Sequence, residues 1–219
     1  MVEHIVPSKP QRVEGETKEQ KRGLKPLSDD VNQRQGEQHN PLNSVSDASW
    51  TGYTSTLQQW AGKTTASVVY DSTVDEFTDE GLFQKVSGLR NVAIVATTTD
   101  GDVFGGFYSV AVTKHDTFFE DPKMFIFSFE SRGRCKTPQR FESNGRWVED
   151  VTVEFFKKDS DGWFVSFGCC GGGFYLGNEM SDTFCNNVSW GFENIEDTTL
   201  TGTNQEKFTC ARLVAIRLE

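Results

Sequence analysis

Two adjacent cysteines, Cys169 and Cys170, are the residues whose types and spacing best suit chemistry in this sequence. A peroxide-reactive thiol needs a depressed pKa, supplied by a helix N-terminus or a nearby cation, together with access to solvent. The neighbours of this pair in the sequence are glycine and phenylalanine, which supply no cation. We therefore expect buried structural cysteines, with thiol-dependent peroxide scavenging through Cys169 and Cys170 as the alternative function.

A histidine-assisted nucleophile would have to use His115, because the other histidines, His4 and His39, lie near the N-terminus. Ser109 and Asp116 are close to His115 in sequence, but no strand–turn–helix elbow that could expose a catalytic serine surrounds them. Conventional hydrolase chemistry is therefore not expected, and we predict that the chain is not an enzyme.

The cysteine and acidic patterns do not predict a metal site. The five cysteines include no Cys-x-x-Cys pair and no close histidine partner, so we expect free thiols in a reducing compartment. Residues 71–81 resemble a calcium loop, but Glu76 and Leu82 stand where such a loop needs glycine and glutamate. We read this stretch as a strand-to-helix connection and predict neither a metal nor another cofactor.

The glycine-rich run GCCGGG, residues 168–173, could cradle a phosphate, because small residues let backbone N–H groups converge on an anion. The lysine and the serine or threonine of a P-loop are missing, however, and no helical pattern follows. A run of this kind more often lets two backbones approach closely between strands, which is the interpretation we favour.

The N-terminal residues differ in composition from the rest of the chain. Residues 1–49 contain no Phe, Trp, Tyr or Cys, yet hold four of the six prolines. Such a segment buries too little apolar surface to offset the entropy lost on ordering it, so we predict that residues 1–46 are a disordered tail. A small helical subdomain around residues 15–24 is the alternative. Residues 47–219 are predicted to form one globular domain.

Charge restricts the classes of partner. Residues 1–49 hold nearly equal numbers of acidic and basic side chains, so the domain carries nearly all of the net charge of −10. A nucleic-acid-binding face needs clustered Lys and Arg, and an anionic membrane surface attracts basic residues, so neither partner is expected. An acidic domain favours a basic protein surface. We expect a protein partner and a monomeric chain.

No apolar run approaches the roughly 20 residues that a membrane-spanning helix requires, so no membrane insertion is predicted. The first residues also lack the basic start and apolar centre of a signal peptide. Together with the expected free thiols, these features predict a cytoplasmic protein.

Two helices are predicted at the start of the domain. In the first, Tyr53, Leu57 and Trp60 recur at helical spacing. The second is capped by Thr78, carries acidic residues in its first turn and ends before Gly88.

From residue 91 the apolar residues alternate with the period of two that is typical of strands. Residues 91–98 and 103–112 flank the Asp100-Gly101 turn and predict a hairpin. Residues 148–158 and 162–168 flank a second turn and predict another.

Three further segments differ in their expected burial. The β-branched residues 66–72 predict a buried strand. Phe125, Phe127 and Phe129 share one face of a strand, and we expect them to fill the space between two sheets. Residues 206–219 are apolar on both faces, which predicts an interior strand.

Two helices followed by roughly eight or nine strands indicate an α+β fold dominated by β-structure. We predict a two-sheet antiparallel β-sandwich flanked by short helices and preceded by the disordered tail. Residues 131–141 are expected to form a loop and an edge strand, and residues 181–205 to be mostly loops.

Six motifs occur in order across about residues 50–219: LQQWAGKTTASVVYDS, FQKVSGLRNVAIV, TDGDVFGGFYSVAV, MFIFSF, WFVSFGCCGGGFYLGN and EKFTCARLVAIRL. In this order and spacing the chain resembles the TLDc family, the domain of oxidation-resistance proteins. Two departures are visible. Cys169 and Cys170 interrupt the glycine-rich run, and residues 131–150 are longer and more basic than the usual counterpart.

The resemblance implies a β-sandwich flanked by helices and a non-catalytic role in protecting cells from oxidative stress. Several relatives bind the vacuolar proton-pumping ATPase (V-ATPase), so a subunit of this pump is the partner that the resemblance suggests. It supplies no catalytic residues. The positions that match the family's turn and glycine-rich loop, with an expected structural or interaction role, are Gly101, Phe104, Gly105, Gly168, Gly171, Gly172 and Gly173.

Overall fold

Twelve strands and three helices are formed by the residues that the computed structural model describes, which are 47–145, 151–157, 163–169, 172–177 and 183–219. The predicted tail, residues 1–46, lies outside the described residues, and so do Cys170 and Gly171.

The strands form two antiparallel six-stranded sheets. The helices are α1 (Asp47–Ala61), α2 (Asp79–Val86) and α3 (Val188–Gly191). The first sheet contains β1 (Ala66–Asp71), β2 (Val92–Thr98), β3 (Val103–Tyr108), β5 (Phe125–Glu130), β6 (Gln139–Glu142) and β12 (Cys210–Leu218), in the order β1-β12-β2-β3-β5-β6. The second contains β4 (Phe119–Glu120), β7 (Thr152–Phe155), β8 (Trp163–Cys169), β9 (Gly172–Gly177), β10 (Thr183–Asn186) and β11 (Lys207–Phe208), in the order β11-β10-β9-β8-β7-β4.

The main core lies between the two sheets, where large apolar side chains from both sheets form one cluster. Ile94 and Phe104 enter it from the first sheet, and Phe167 and Phe174 from the second. The rings of Phe104 and Phe174 meet edge to face with centroids 5.3 Å apart. Two antiparallel sheets that share a core, with few short helices, confirm the predicted β-dominated sandwich.

Both predicted hairpins are present. In the β2–β3 pair, Val92 faces Tyr108 and Thr97 faces Val103, and Gly101 turns the chain with a φ of 93°. That backbone conformation favours glycine because a side chain would be strained there. In the β7–β8 pair, Thr152 faces Gly168.

A second, smaller core lies on the outer face of the first sheet, under α1. Tyr53 stacks on Phe129 with ring centroids 4.4 Å apart, and Trp60 stacks on Phe129 at 5.6 Å. Phe125 and Phe127 belong to the same cluster. The prediction that Phe125, Phe127 and Phe129 fill the space between the sheets is therefore wrong.

The reason is the alternation of side chains along a strand. In β5, Ile126 points into the main core while its neighbours Phe125 and Phe127 point to α1. Both faces of β5 are covered by apolar side chains. The alternation in the sequence therefore predicts correctly that the three phenylalanines share a face, but it does not predict whether that face packs against α1 or against the second sheet.

The first strand of the chain is an edge strand, not the buried strand that was predicted. In β1, Tyr70 is fully buried but Val68 is 58% exposed. The error arises because β-branched residues report strand conformation and not burial. The C-terminal strand β12 pairs with β1 on one side and β2 on the other, which confirms its predicted interior position.

An ion pair joins β1 to β12. Arg212 donates from Nε to a carboxylate oxygen of Asp71 at 3.0 Å, and Thr73 donates to the same carboxylate. Burial by itself raises the pKa of Asp71, but the hydrogen bonds from Arg212 and Thr73 outweigh it, so the net pKa lies below its ordinary value.

The described part of residues 181–205 is mostly loop, as predicted, and it also contains the strand β10 and the short helix α3.

Among the described helices, none is long and apolar enough to cross a membrane.

Candidate functional site

The glycine pair of the β2–β3 hairpin allows two close approaches. A side chain on Gly105 would overlap the backbone oxygen of Ile94 and come within 2.7 Å of the ring of Phe127. A side chain on Gly106 would enter the ring of Phe167, which belongs to the opposite sheet. Gly105 thus leaves room for the outer core and Gly106 for the main core, so these two glycines of the motif are required for packing.

The glycine-rich run places two backbones in contact, as expected from the sequence. A Cβ atom on Gly173 would overlap the backbone of Phe167 and lie 2.7 Å from the Cα atom of Gly168. A Cβ atom on Gly172 would overlap the backbone oxygen of Asn187 and lie 3.3 Å from the Cβ atom of Trp190. The run therefore lets α3 sit directly on β9.

The entry to α3 is held by a pair of asparagines. Asn187 adopts a left-handed conformation with a φ of 45°, which asparagine tolerates better than most residues. Its backbone N–H donates to the side chain of Asn204 at 2.9 Å, and Asn204 donates back to the Asn187 side chain at 3.1 Å. The position of α3 is thus fixed from two sides, by β9 and by residues 203–205.

Helix α3 carries the exposed tryptophan Trp190, whose side chain is 59% accessible to solvent. Its backbone oxygen accepts a hydrogen bond from the side chain of Asn144 at 2.5 Å. Ser143 forms a β-bridge with Phe192 just beyond the helix. A large apolar side chain is therefore presented to solvent on a segment whose backbone is held by neighbouring elements.

Acidic residues follow Trp190 closely along the chain. Glu193 and Glu196 are exposed, and a carboxylate oxygen of Asp197 accepts a hydrogen bond from the backbone of Ser189 at 2.9 Å. We call residues 187–197 together with Asn144 the α3 surface. An exposed aromatic side chain that is followed in the chain by exposed carboxylates suits a partner that offers an apolar pocket rimmed by basic groups.

A buried carboxylate at the β2–β3 turn ties three loops together. Asp102 is 1% exposed and accepts from Arg132 at 3.0 Å and from Arg134 at 2.5 Å. Arg132 also donates to the backbone oxygen of Thr201, and Arg134 donates to that of Thr199. Arg132 and Arg134, in the basic stretch after β5, therefore make contacts within the domain. They hold residues 199–201, which follow the α3 surface in sequence.

The described thiols differ in burial, since Cys135 is partly exposed while Cys185 and Cys210 are buried. Burial raises the pKa of Cys185 and of Cys210 to about 12. Both are protonated at neutral pH, which makes them poor nucleophiles. The backbone of Cys169 pairs with Gly172 at the end of β8. Because Cys170 lies outside the described residues, peroxide scavenging by this pair stays a prediction.

Ser109, His115 and Asp116 make separate contacts. The hydroxyl of Ser109 donates to Asp121 at 2.8 Å, while the ring of His115 lies against Phe83 with centroids 3.7 Å apart. The backbone N–H of Asp116 donates to Phe155. Within the described ranges, no group of three or more His, Cys, Asp or Glu residues is placed to hold a metal ion.

The predicted motif residues fall into two places. Gly101, Phe104 and Gly105 lie in the β2–β3 hairpin, and Gly168, Gly172 and Gly173 lie in the β8–β9 hairpin; Gly171 lies outside the described residues. Sequence reasoning missed Trp190, because exposure of one aromatic residue leaves no periodic signal. The available hint in the sequence was Asn187, because asparagine tolerates the left-handed backbone conformation that this turn into a helix adopts.

Comparison with known proteins agrees with the architecture. A search of curated proteins found no significant match. The family model of the TLDc domain matches residues 45–213, which is most of the chain and includes both glycine motifs and the α3 surface. The chain therefore belongs to the TLDc domain family.

Proposed function

We propose that this protein is a non-catalytic interaction module that binds a protein partner through the α3 surface. TLDc domains are commonly linked to resistance against oxidative stress, and we place the module in that response. The observation that carries the proposal is Trp190, a 59% exposed tryptophan on a helix that the family's own glycine-rich strand holds in position. Tryptophan is among the residues most enriched at the energetic centres of protein interfaces.

The chemistry of the α3 surface supports a partner with a basic surface. Glu193 and Glu196 are exposed and follow Trp190 closely in the chain, and the whole chain carries a net charge of −10, so association with a basic surface is accelerated by electrostatic steering. The family resemblance suggests a subunit of the V-ATPase. We propose that the protein meets this pump as a monomer on its cytoplasmic side.

The buried and half-buried reactive groups support a structural role. Asp102 and Asp71 are paired with arginines that join separate strands and loops, and Cys185 and Cys210 are buried with raised pKa values. Each of these groups is engaged in holding the fold. Gly105, Gly106, Gly172 and Gly173 have the same role, which leaves recognition to the surface that they position.

The proposal is tested by affinity capture followed by mass spectrometry, with and without peroxide treatment of the cells. The wild-type chain is compared with Trp190→Ala and with Phe118→Ala, whose side chain is 68% exposed outside the α3 surface. We expect subunits of the pump to be captured by the wild type and by Phe118→Ala, and to be lost with Trp190→Ala. Equal capture by all three proteins would refute the role of α3, and no enrichment of pump subunits over an unrelated acidic protein would refute the partner.

A further inference from the structure

A concave site lies on the outer face of the first sheet, beside the C-terminal end of α1. It has a volume of about 610 Å³, which falls in the range of small-molecule sites. Its floor includes Phe107 and Phe125, which stack with ring centroids 4.8 Å apart, and Trp60 forms part of its wall.

Four basic side chains line this site, which we call the basic cleft: Lys63, Arg90, Lys123 and Arg140. The topology brings them together. Arg90 precedes β2 and Lys123 precedes β5, and both of these strands pair with β3, so they begin at the same end of the sheet. Lys63 follows α1, whose last residues, Trp60 and Ala61, line the same cleft.

The rim of the cleft is rigidly built on a buried carboxylate. Asp121 is fully buried and accepts hydrogen bonds from the backbone and the hydroxyl of Ser109 and from the backbone of Lys123 at 3.0 Å. Three neutral donors thus stabilise the Asp121 carboxylate and fix the two rim residues that it contacts, but they do not cancel its charge. The four lining cations outnumber the two carboxylates at the cleft, Asp121 and Glu142, so the field in the cleft is still positive.

One of the four cations is neutralised within the cleft. Arg140 donates to the backbone oxygen of Trp60 at 2.6 Å, pairs with Glu142 at 2.6 Å and lies over the ring of Phe125 at 5.5 Å. These three contacts orient its guanidinium. Glu142 is also the one carboxylate among the lining residues, so the lining by itself carries an excess of three positive charges.

Lys63, Arg90 and Lys123 form no ion pair with any described residue. This differs from the other described arginines, each of which pairs with a carboxylate: Arg132, Arg134, Arg140, Arg212 and Arg217. Three unpaired cations around one small cavity repel each other, and an anion in the cavity would relieve that repulsion. In an acidic chain with abundant carboxylates, this concentration of unpaired positive charge points to an external ligand.

We propose that the basic cleft binds a compact phosphorylated anion, a small molecule or headgroup that carries two or more phosphate groups. Phosphate concentrates charge in a volume that three cations can surround, and the guanidinium fork of Arg90 matches its oxygens. The aromatic floor formed by Phe107 and Phe125 would contact the apolar part of such a molecule. An acidic peptide would instead need an extended groove that presents cations along its length.

The test measures binding of inorganic tripolyphosphate by calorimetry, and of phosphatidylcholine vesicles with and without a phosphatidylinositol bisphosphate by sedimentation. The variant Arg90→Gln/Lys123→Gln removes two cleft charges. The matched control, Lys114→Gln/Lys136→Gln, removes two exposed charges that do not line the cleft, so both variants have the same net charge. All four side chains are exposed, and equal thermal unfolding midpoints will show that the fold is unaffected.

We expect the cleft variant to weaken binding roughly tenfold or more and the control to bind like the wild type, with affinity falling as salt is added. Binding of tripolyphosphate indicates a free ligand, and binding of bisphosphate vesicles alone indicates a headgroup; either supports the site when it depends on Arg90 and Lys123. Equal loss in both variants would mean non-specific attraction and overturn the proposal. If the protein binds neither tripolyphosphate nor the bisphosphate vesicles, the proposal is also overturned. Tighter binding of poly-glutamate, measured by the same calorimetry, than of tripolyphosphate would overturn it as well.

Discussion

Replacing Gly105 by alanine tests whether the family's hairpin motif is a packing device. An added Cβ atom would overlap the backbone oxygen of Ile94 on the neighbouring strand and approach the ring of Phe127 to 2.7 Å. The ring can move, but the oxygen belongs to the backbone of β2, at the centre of the first sheet. The strands must therefore separate locally for the alanine to fit.

Overpacking of a tight core typically costs about 1–3 kcal/mol, and we expect Gly105→Ala to lie near 3 kcal/mol because backbone has to shift. With a slope of roughly 2 kcal/mol per molar urea for a domain of this size, the midpoint of unfolding would fall by about 1.5 M. The assay is equilibrium urea unfolding followed by tryptophan fluorescence and by circular dichroism, whose agreement checks two-state behaviour.

The matched control is the same substitution at Gly52, an exposed position inside α1 where an added Cβ atom meets nothing within 4 Å. Alanine favours a helix over glycine by about 1 kcal/mol, so Gly52→Ala should raise the midpoint. Opposite signs for the two glycines are the predicted result. A midpoint for Gly105→Ala equal to that of the wild type would refute the packing account of the motif.

Three further outcomes follow from the same contacts. In a double-mutant cycle, Trp60→Ala and Phe127→Ala should couple by about 1 kcal/mol in urea unfolding, because the two rings meet under α1 at 6.1 Å; additive effects would contradict that contact. The lowered pKa of Asp71 gives stability that is present above its unfolded pKa of about 4 and is lost as the pH falls through the folded value. Wild type should therefore exceed Asp71→Asn in stability at neutral pH, with the difference shrinking in acid, and a constant difference would be inconsistent with the ion pair. Cys185 and Cys210 should react with a thiol reagent only on unfolding, as measured by mass spectrometry of labelled peptides; labelling of both in the native protein would show that they are accessible.

The sequence predicted the elements that local chemistry determines. The β2–β3 hairpin follows from alternation and from the Asp-Gly turn, and α2 follows from Thr78, whose hydroxyl accepts from the backbone of Gly81. It did not predict which layer each face meets. Phe127 and Ile126 are equally apolar, and only the position of α1 decides that Phe127 packs outward.

Average properties also concealed local ones. A net charge of −10 argued against nucleic acid and an anionic membrane surface as partners, yet the fold gathers Lys63, Arg90 and Lys123 from distant parts of the chain into one cleft. Val68 and Trp190 show the same limit for hydrophobicity, because side chains that are apolar in sequence are exposed when no element covers them. Burial and charge clustering depend on how distant segments pack together, so they cannot be predicted from any single segment.

The most direct test of the central claim is amide hydrogen exchange of the chain with and without purified subunits of the V-ATPase. If the α3 surface is the interface, slowed exchange will centre on residues 187–197, and Trp190→Ala will abolish it. Protection confined to the basic cleft, or to the edge strand β1, with residues 187–197 unchanged would contradict the claim.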